Sequence, residues 1–250
     1  MLHWRAQNLG SPGNRVKPCG MVVFETLQEN LESVKQRMAA AAARCGRQPA
    51  DVQLLAVSKT WPVEVLELAV KAGVSCFGEN RVQELEEKVS ALPAHLDWHL
   101  IGPLQKNKVR RALSLAGKIH SIDSLELAQR LDRIAADEGR VPEVYWQVHV
   151  GDEASKSGFS EERLRSSLAD LLELRNQKVL GLMAIPPFTP DPEDARPFFS
   201  YLREFRDELS IHTGLPLPGL SMGMSHDFEV AIEEGATIVR VGSALFGGRG

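Results

Sequence analysis

Short apolar segments alternate with amphipathic segments along most of the chain. The apolar segments are rich in Val, Ile and Leu and end in polar or turn-forming residues, which is typical of buried β-strands. No β-hairpin signal separates them, so helical connections are expected between consecutive strands. Eight segments are predicted as strands: VQLLAVSK, CFGEN, WHLIG, KIHSID, VYWQVHV, VLGLMAIP, GLSMGMS and TIVRVGSALFG.

The segments between the strands show helical spacing. Leu27, Leu31, Val34 and Met38 recur every three or four residues and predict a helix over residues 25–45. Similar patterns occur in PVEVLELAVKAG, RVQELEEKVSAL, SLELAQRLDRIAADEG and DFEVAIEEGA. Eight strands that alternate with helices predict an α/β fold, the (β/α)8 TIM barrel, with a doubly wound open sheet as the alternative. The N-terminal helix is expected to cover the flank that a helix after the eighth strand usually covers.

The composition restricts the class of protein. Of the 250 residues, 43% are hydrophobic and 25% are charged, with a net charge of −4, which argues against a nucleic-acid-binding protein. No apolar run approaches the ~20 residues that span a bilayer. Cys19, Cys45 and Cys76 are odd in number and widely spaced. A cytoplasmic protein without a disulfide framework or a metal site is therefore predicted.

The first twenty residues differ from the rest of the chain. MLHWRAQNLGSPGNRVKPCG has no hydrophobic period and no apolar stretch of the kind found in signal peptides. Residues 1–20 are therefore predicted to be a flexible extension, followed by a single domain over residues 21–250. No large exposed apolar helix face is evident in the pattern, so a monomer is expected.

The first strand ends in a lysine. Alternation along a strand places Leu55, Val57 and Lys59 on one face, and a barrel would carry Lys59 to its mouth. Partial burial lowers the pKa of a lysine and favours a nucleophilic amine, which suits a Schiff base with an aldehyde. The alternative is a lysine whose charge simply pairs with a carboxylate such as Glu79.

The last two strands end in residues suited to bind phosphate. LSMGMS, residues 220–225, runs into a helix, and Gly242 and Ser243 follow the eighth strand. Arg240 shares a strand face with Gly242. Together with Lys59, these residues predict a seat for pyridoxal 5′-phosphate (PLP).

Several long motifs resemble one family. LLAVSKTWP, FGENRVQEL, WHLIGPLQKNKV, IHSIDS, GDEASKSGF, GLMAIPP and LSMGMSHDFEVAIEEGATIVRVGSALFG follow one another as in the YggS/PROSC family of pyridoxal phosphate homeostasis proteins. The resemblance covers residues 21–248. It implies the barrel of the alanine racemase N-terminal domain, which is PLP fold type III.

The resemblance also implies roles for individual residues. Lys59 would form the internal aldimine with PLP. Ser221 and the backbone of Gly242 and Ser243 would hold the phosphate, with Met222 nearby.

Further residues would line the ring. Arg240 would face the pyridine nitrogen, while Asn80 and His99 would line the pocket, although buried structural hydrogen bonding is an alternative role for these two. Lys156 is a candidate second basic contact or a solvated loop lysine. His149 departs from the family, which usually has asparagine there.

Three functions follow as hypotheses. The leading one is a non-enzymatic carrier that binds PLP reversibly and supplies it to apo-enzymes, because the chain is expected to lack the second domain of alanine racemases and both Tyr145 and Tyr201 are expected to be packing residues. The second is a weak racemase with His149 as the second base. The third is a phosphosugar-type barrel enzyme in which Lys59 is merely ionic.

Overall fold

Eight parallel strands form a closed barrel in chain order. A computed structural model describes residues 23–151 and 157–248. The strands are β1 (Gln53–Val57), β2 (Cys76–Glu79), β3 (Asp97–Leu100), β4 (Lys118–Ile122), β5 (Glu143–Gln147), β6 (Lys178–Met183), β7 (Gly219–Met224) and β8 (Ile238–Val241). Pairing of β1 with β8 closes the barrel, so the predicted TIM barrel is confirmed and the open sheet is excluded.

Helices connect the strands. They are α1 (Phe24–Arg44), α2 (Val63–Lys71), α3 (Val82–Ala91), α4 (Val109–Leu115), α5 (Leu125–Asp137), α6 (Glu161–Leu172), α7 (Arg196–Thr213), α8 (Phe228–Glu233) and α9 (Ser243–Phe246). No described helix is long and apolar enough to cross a membrane. The predicted extension over residues 1–20 and Lys156 lie outside the described residues.

The eighth predicted strand was too long at its C-terminal end. β8 stops at Val241, whereas the apolar pattern predicted a strand as far as Gly247. The backbone N–H groups of Leu245 and Phe246 instead donate to the carbonyl of Gly242 at 3.0 and 2.9 Å. The chain therefore turns into the short helix α9 at the mouth of the barrel.

Helix α1 covers the flank beside the eighth strand, as expected. Its apolar face is buried, with Leu27, Leu31, Val34 and Met38 among the buried residues. The Asn30 side-chain amide donates to the Leu245 carbonyl of α9 at 3.0 Å. Further along α1, the Arg37 guanidinium binds the carboxylate of Glu229 on α8 at 2.8 Å. Apolar burial and polar contacts together fix the N-terminal helix against the last two helices.

The interior of the barrel is partly polar. Leu55, Val57, Ile101, Tyr145 and Met183 belong to its apolar cluster. The interior of a TIM barrel is usually filled by branched apolar side chains. Here, part of that volume holds buried polar side chains: His99, His120, Ser221 and Arg240.

Candidate functional site

A cavity of about 680 Å³ opens at the C-terminal ends of the strands. This is the end at which TIM barrels bind their ligands. Five residues predicted from the sequence line it: Lys59, Asn80, Arg240, Gly242 and Ser243. Other lining residues, to which the sequence analysis gave no individual role, include Trp61, Ile101, Gly102, Gln147, Ser157, Ile185, Ser225 and His226.

Three other predicted residues lie away from the cavity wall. Met222 is fully buried in the layer between the barrel and its helices, so its side chain points away from the interior. His99 and Ser221 do point into the barrel, but both are fully buried beneath the cavity. His99 pairs in register with Lys118, the first residue of β4, which places it near the N-terminal ends of the strands.

The backbone that carries Lys59 into the cavity is strained. The next residue, Thr60, has a φ of 67°, the left-handed conformation that a β-branched residue rarely adopts. Its N–H donates to Oε2 of Glu84 on α3 at 2.7 Å. Such strain persists only where surrounding contacts enforce it. The Glu84 carboxylate therefore helps to hold the turn that presents the lysine.

A buried ionic cluster lies behind this turn. The Lys88 ammonium of α3 donates to Glu79 Oε1 at 2.6 Å and to the Ser58 carbonyl at 2.8 Å. The Ser58 hydroxyl donates to the same glutamate oxygen at 2.6 Å. Burial raises the pKa of Glu79, whereas the hydrogen bonds from Lys88 and Ser58 act in the opposite direction. The carboxylate proposed as a partner for Lys59 is thus held by a different lysine, which the sequence pattern did not indicate.

Arg240 reaches the cavity from β8 and is 3% exposed. Its guanidinium donates to the carbonyl oxygens of Ser221 at 2.6 Å and Ala184 at 2.8 Å, and to the Ser221 hydroxyl oxygen at 2.8 Å. Burial lowers the pKa of Arg240 to about 10, so the group stays charged at neutral pH. These neutral oxygens hold a fixed cation at the wall of the cavity.

The ends of β7 and β8 are joined by a serine. The Ser225 hydroxyl oxygen accepts the backbone N–H groups of Gly242 at 3.1 Å and Ala244 at 3.2 Å. Ser225, Gly242 and Ser243 all line the cavity. The motif LSMGMS contains two serines, Ser221 and Ser225. Ser225 lies just beyond the end of β7 and reaches the cavity, whereas Ser221 does not. The position of Ser225 after the last apolar residue was the only sequence signal.

His149 provides a further polar group at the cavity wall. It lines the cavity together with Gln147. Nε2 of His149 is buried, and among the described residues it has no hydrogen-bond partner. The Gln147 amide, in contrast, donates to the Ser157 carbonyl at 2.8 Å. A buried polar atom of this kind is suited to contact a polar ligand.

Cys76, Asp97 and His99 meet near the opposite end of the barrel. Their potential ligand atoms lie within 4.8 Å of one another, a group that could hold a metal ion and that the sequence did not predict. Asp97 Oδ2, however, already binds His99 Nε2 at 2.9 Å and the Lys118 ammonium at 3.1 Å. Burial raises the pKa of the Cys76 thiol, which favours the protonated form. The group therefore acts as a hydrogen-bonded cluster in this structure.

The chain is similar to proteins of one family. The model of the alanine racemase N-terminal domain matches residues 27–250. A pyridoxal phosphate homeostasis protein of Aquifex aeolicus is 49% identical over 222 residues, which cover 88% of this chain and 97% of that protein. A protein of the same name from Pseudomonas aeruginosa is 44% identical over 228 residues, covering 90% of this chain and 97% of the relative.

Solved structures share the barrel. PipY of Synechococcus elongatus, solved with PLP bound, is 40% identical and has a TM-score of 0.78, covering 88% of this chain and 100% of that chain. An alanine racemase of Clostridium difficile is 18% identical with a TM-score of 0.72, covering 91% of this chain and 58% of that one. The second likeness concerns the fold alone.

Proposed function

Since this chain belongs to the pyridoxal phosphate homeostasis proteins, a family with the fold of the alanine racemase N-terminal domain, we propose that it binds PLP reversibly through Lys59 and supplies it to apo-enzymes. The observation that carries the proposal is the convergence of Lys59, Arg240 and the Ser225–Gly242 junction on one cavity. PLP homeostasis is the function named for the relatives, and a PLP complex is known for the PipY barrel.

The residues around the cavity fit this cofactor. PLP supplies an aldehyde that reacts reversibly with a primary amine, as well as an aromatic ring and a phosphate. Lys59 offers the amine. The hydroxyls of Ser225 and Ser243 and the backbone at Gly242 offer polar groups for an anion. The cavity volume of about 680 Å³ is within the range of small-molecule sites.

Each lining group has a distinct role in this proposal. Lys59 holds the cofactor covalently, and Ser225 replaces Ser221 as the hydroxyl nearest the phosphate. Arg240 faces the pyridine nitrogen and, because it is charged and only donates hydrogen bonds, disfavours protonation of that nitrogen. Asn80 lines the ring. An unprotonated pyridine withdraws electrons weakly, which suits storage of the cofactor better than carbanion chemistry.

The absence of catalysis is part of the proposal. A racemase needs two acid–base groups on opposite sides of the substrate carbon. Both tyrosines of the chain lie in its described part, and neither lines the cavity. Tyr145 is buried in the barrel interior, and Tyr201 of α7 donates to the carboxylate of Glu161 at 2.5 Å. Their positions support a carrier.

Borohydride reduction followed by peptide mapping tests the binding site. Reduction makes the link between the cofactor and its lysine permanent, and we expect the pyridoxyl group on Lys59. The Lys59→Ala variant should lose the absorbance of bound PLP while the circular dichroism spectrum is retained. Lys35→Ala, on the exposed side of α1, is the matched control and should bind as the wild type does. A label on another lysine, or no label, would contradict the proposal. That result would favour a phosphosugar-type barrel enzyme in which Lys59 interacts only through its charge.

A weak racemase is the second candidate function, because the buried Nε2 of His149 lies at the cavity wall. In that case His149 would be the second acid–base group. Interconversion of D- and L-amino acids should then be measurable in the PLP-loaded wild type and lost in His149→Asn. A carrier should show no such stereochemical exchange in either protein.

A further inference from the structure

Five polar residues form an unbroken hydrogen-bonded line through the barrel interior. Asp97 Oδ2 lies 2.9 Å from His99 Nε2, and His99 Nδ1 lies 3.0 Å from His120 Nε2. His120 Nδ1 lies 2.8 Å from the Ser221 hydroxyl oxygen, which accepts from Arg240 at 2.8 Å. The line therefore connects the beginning of β3 with the wall of the cavity.

An ionised Asp97 at one end and two neutral imidazoles together fix the position of every proton along the line. An ionised Asp97 only accepts, so His99 must donate from Nε2. If His99 is neutral, its Nδ1 accepts and His120 must donate from Nε2. A neutral His120 then accepts at Nδ1, and the Ser221 hydroxyl must donate to it. The lone pairs of that hydroxyl are left to face Arg240, which can only donate.

Independent features support neutral imidazoles. Burial lowers the pKa of His99 and of His120. A charge on His120 would also repel the charged Arg240 one hydroxyl away. The carboxylate of Asp97 stays ionised, because its bonds to His99 and Lys118 hold its pKa below the ordinary value.

We propose that Asp97, His99, His120 and Ser221 form a positioning relay that, together with the carbonyl oxygens of Ser221 and Ala184, fixes the orientation of Arg240 at the cavity wall. The Ser221 hydroxyl is the contact between the relay and Arg240, beside the two backbone carbonyl oxygens that also hold the guanidinium. The two histidines fix which way that hydroxyl points. The ring of Tyr145, centred 4.6 Å from that of His120, packs against the relay and restricts the imidazole plane. Where the relay acts on bound PLP, the inference rests on the proposed function.

The proton order can be measured in the free protein. Nitrogen-15 NMR of the imidazole rings distinguishes the protonated nitrogen of a neutral histidine from the unprotonated one. Both His99 and His120 should carry their proton on Nε2 near neutral pH. A proton on Nδ1 of either ring, or a doubly protonated ring, would overturn the relay. This readout is independent of PLP, so it separates a failure of the relay from a failure of the proposed function.

Matched variants test the positioning role. His120→Leu removes the acceptor that orients the Ser221 hydroxyl, and Ser221→Ala removes the hydroxyl itself. Each should weaken PLP binding about tenfold, the effect of one hydrogen bond to a charged group, and shift the absorbance band of the bound cofactor. His120→Asn should rescue affinity and absorbance, since its side-chain oxygen can accept at the position of Nδ1.

His212→Asn is the control, because it changes an exposed histidine on α7, away from the relay. It should bind PLP with wild-type affinity and absorbance. Wild-type binding and absorbance in both His120→Leu and Ser221→Ala would contradict the positioning role. Equal losses in His120→Asn and His120→Leu would also contradict it, because a purely structural histidine would not be rescued by an acceptor. If the variants do not fold, the NMR measurement on the wild type still decides the proton order.

Discussion

The Lys88 ammonium lies 2.6 Å from Glu79 Oε1, and the two side chains are 4% and 0% exposed. This buried pair connects α3 to the end of β2, next to the strand that carries Lys59. A buried charge that loses its partner is strongly unfavourable, while a pair replaced as a unit is often tolerated.

Lys88→Met should therefore lower the free energy of unfolding by about 3–5 kcal/mol, since Glu79 would lose its main counter-charge. The double variant Glu79→Gln/Lys88→Met should recover at least half of that loss, because no uncompensated charge stays buried. Urea denaturation of both variants measures the difference. Equal stability of the two variants would show that the charge of Glu79 is not what makes the single change unfavourable.

The strained turn at Thr60 gives a second prediction. Thr60→Gly should raise the free energy of unfolding by about 1 kcal/mol, because glycine adopts a φ of 67° without strain. The same change should speed the release of PLP, measured by transfer to an excess of an apo-enzyme, since the turn that presents Lys59 becomes less rigid. Ser90→Gly, in the exposed part of α3, should destabilise by about 0.5 kcal/mol instead. A destabilised Thr60→Gly would show that the threonine contributes more through its contacts than its conformation costs.

Reversal of the charge at Arg240 should change the electronic state of the bound cofactor. In Arg240→Glu, a carboxyl group would stand where the guanidinium stands and would favour a protonated pyridine nitrogen. The absorbance band should shift and PLP should bind more weakly. Arg240→Lys keeps the positive charge and should retain the wild-type band, with lower affinity, because Lys cannot reproduce the three hydrogen bonds. An unchanged band in Arg240→Glu would place the pyridine nitrogen elsewhere in the cavity.

The buried histidines predict a pH dependence of stability. Burial lowers the pKa of His99 and His120, whereas in the unfolded chain both titrate near the ordinary value of about 6.5. Below that pH the unfolded state binds more protons, so stability falls as the pH falls. Each such histidine contributes a slope of at most about 1.4 kcal/mol per pH unit.

Urea denaturation of the free protein between pH 5 and pH 8 would measure this slope. His120→Asn should reduce the slope by the contribution of one histidine, at most about 1.4 kcal/mol per pH unit. His212→Asn is the control, because it makes the same substitution at an exposed histidine on α7, away from the buried pair. A slope that is the same in wild type and His120→Asn would mean that His120 is already charged when the protein is folded.

The sequence predicted the barrel well because each strand is marked by its own apolar run. The sequence also predicted which way the side chains of the site point, since alternation along the strands correctly placed Lys59 and Arg240 toward the interior. It did not predict how deep along the barrel axis each side chain lies. His99 shares its strand face with Ile101, which lines the cavity, but it lies two residues deeper.

Long-range pairing was equally hidden from the sequence. Nothing in the pattern of α3 distinguishes Lys88, which pairs with buried Glu79, from the exposed charges around it. In the same way, which of Ser221 and Ser225 lines the cavity depends on where β7 ends relative to the mouth of the barrel. That end point is set by pairing with β8, where the register shifts between Ser221 and Met224.

The contact between Asn30 of α1 and Leu245 of α9 also has a consequence for synthesis on the ribosome. The two residues are 215 positions apart, so at about 5–20 residues per second the ribosome needs roughly 10–40 s to supply the partner of α1. The amphipathic helix that is made first is therefore among the last to find its place. During that interval α8 and α9 cannot cover the apolar face of α1, so part of this face is open to binding by a chaperone.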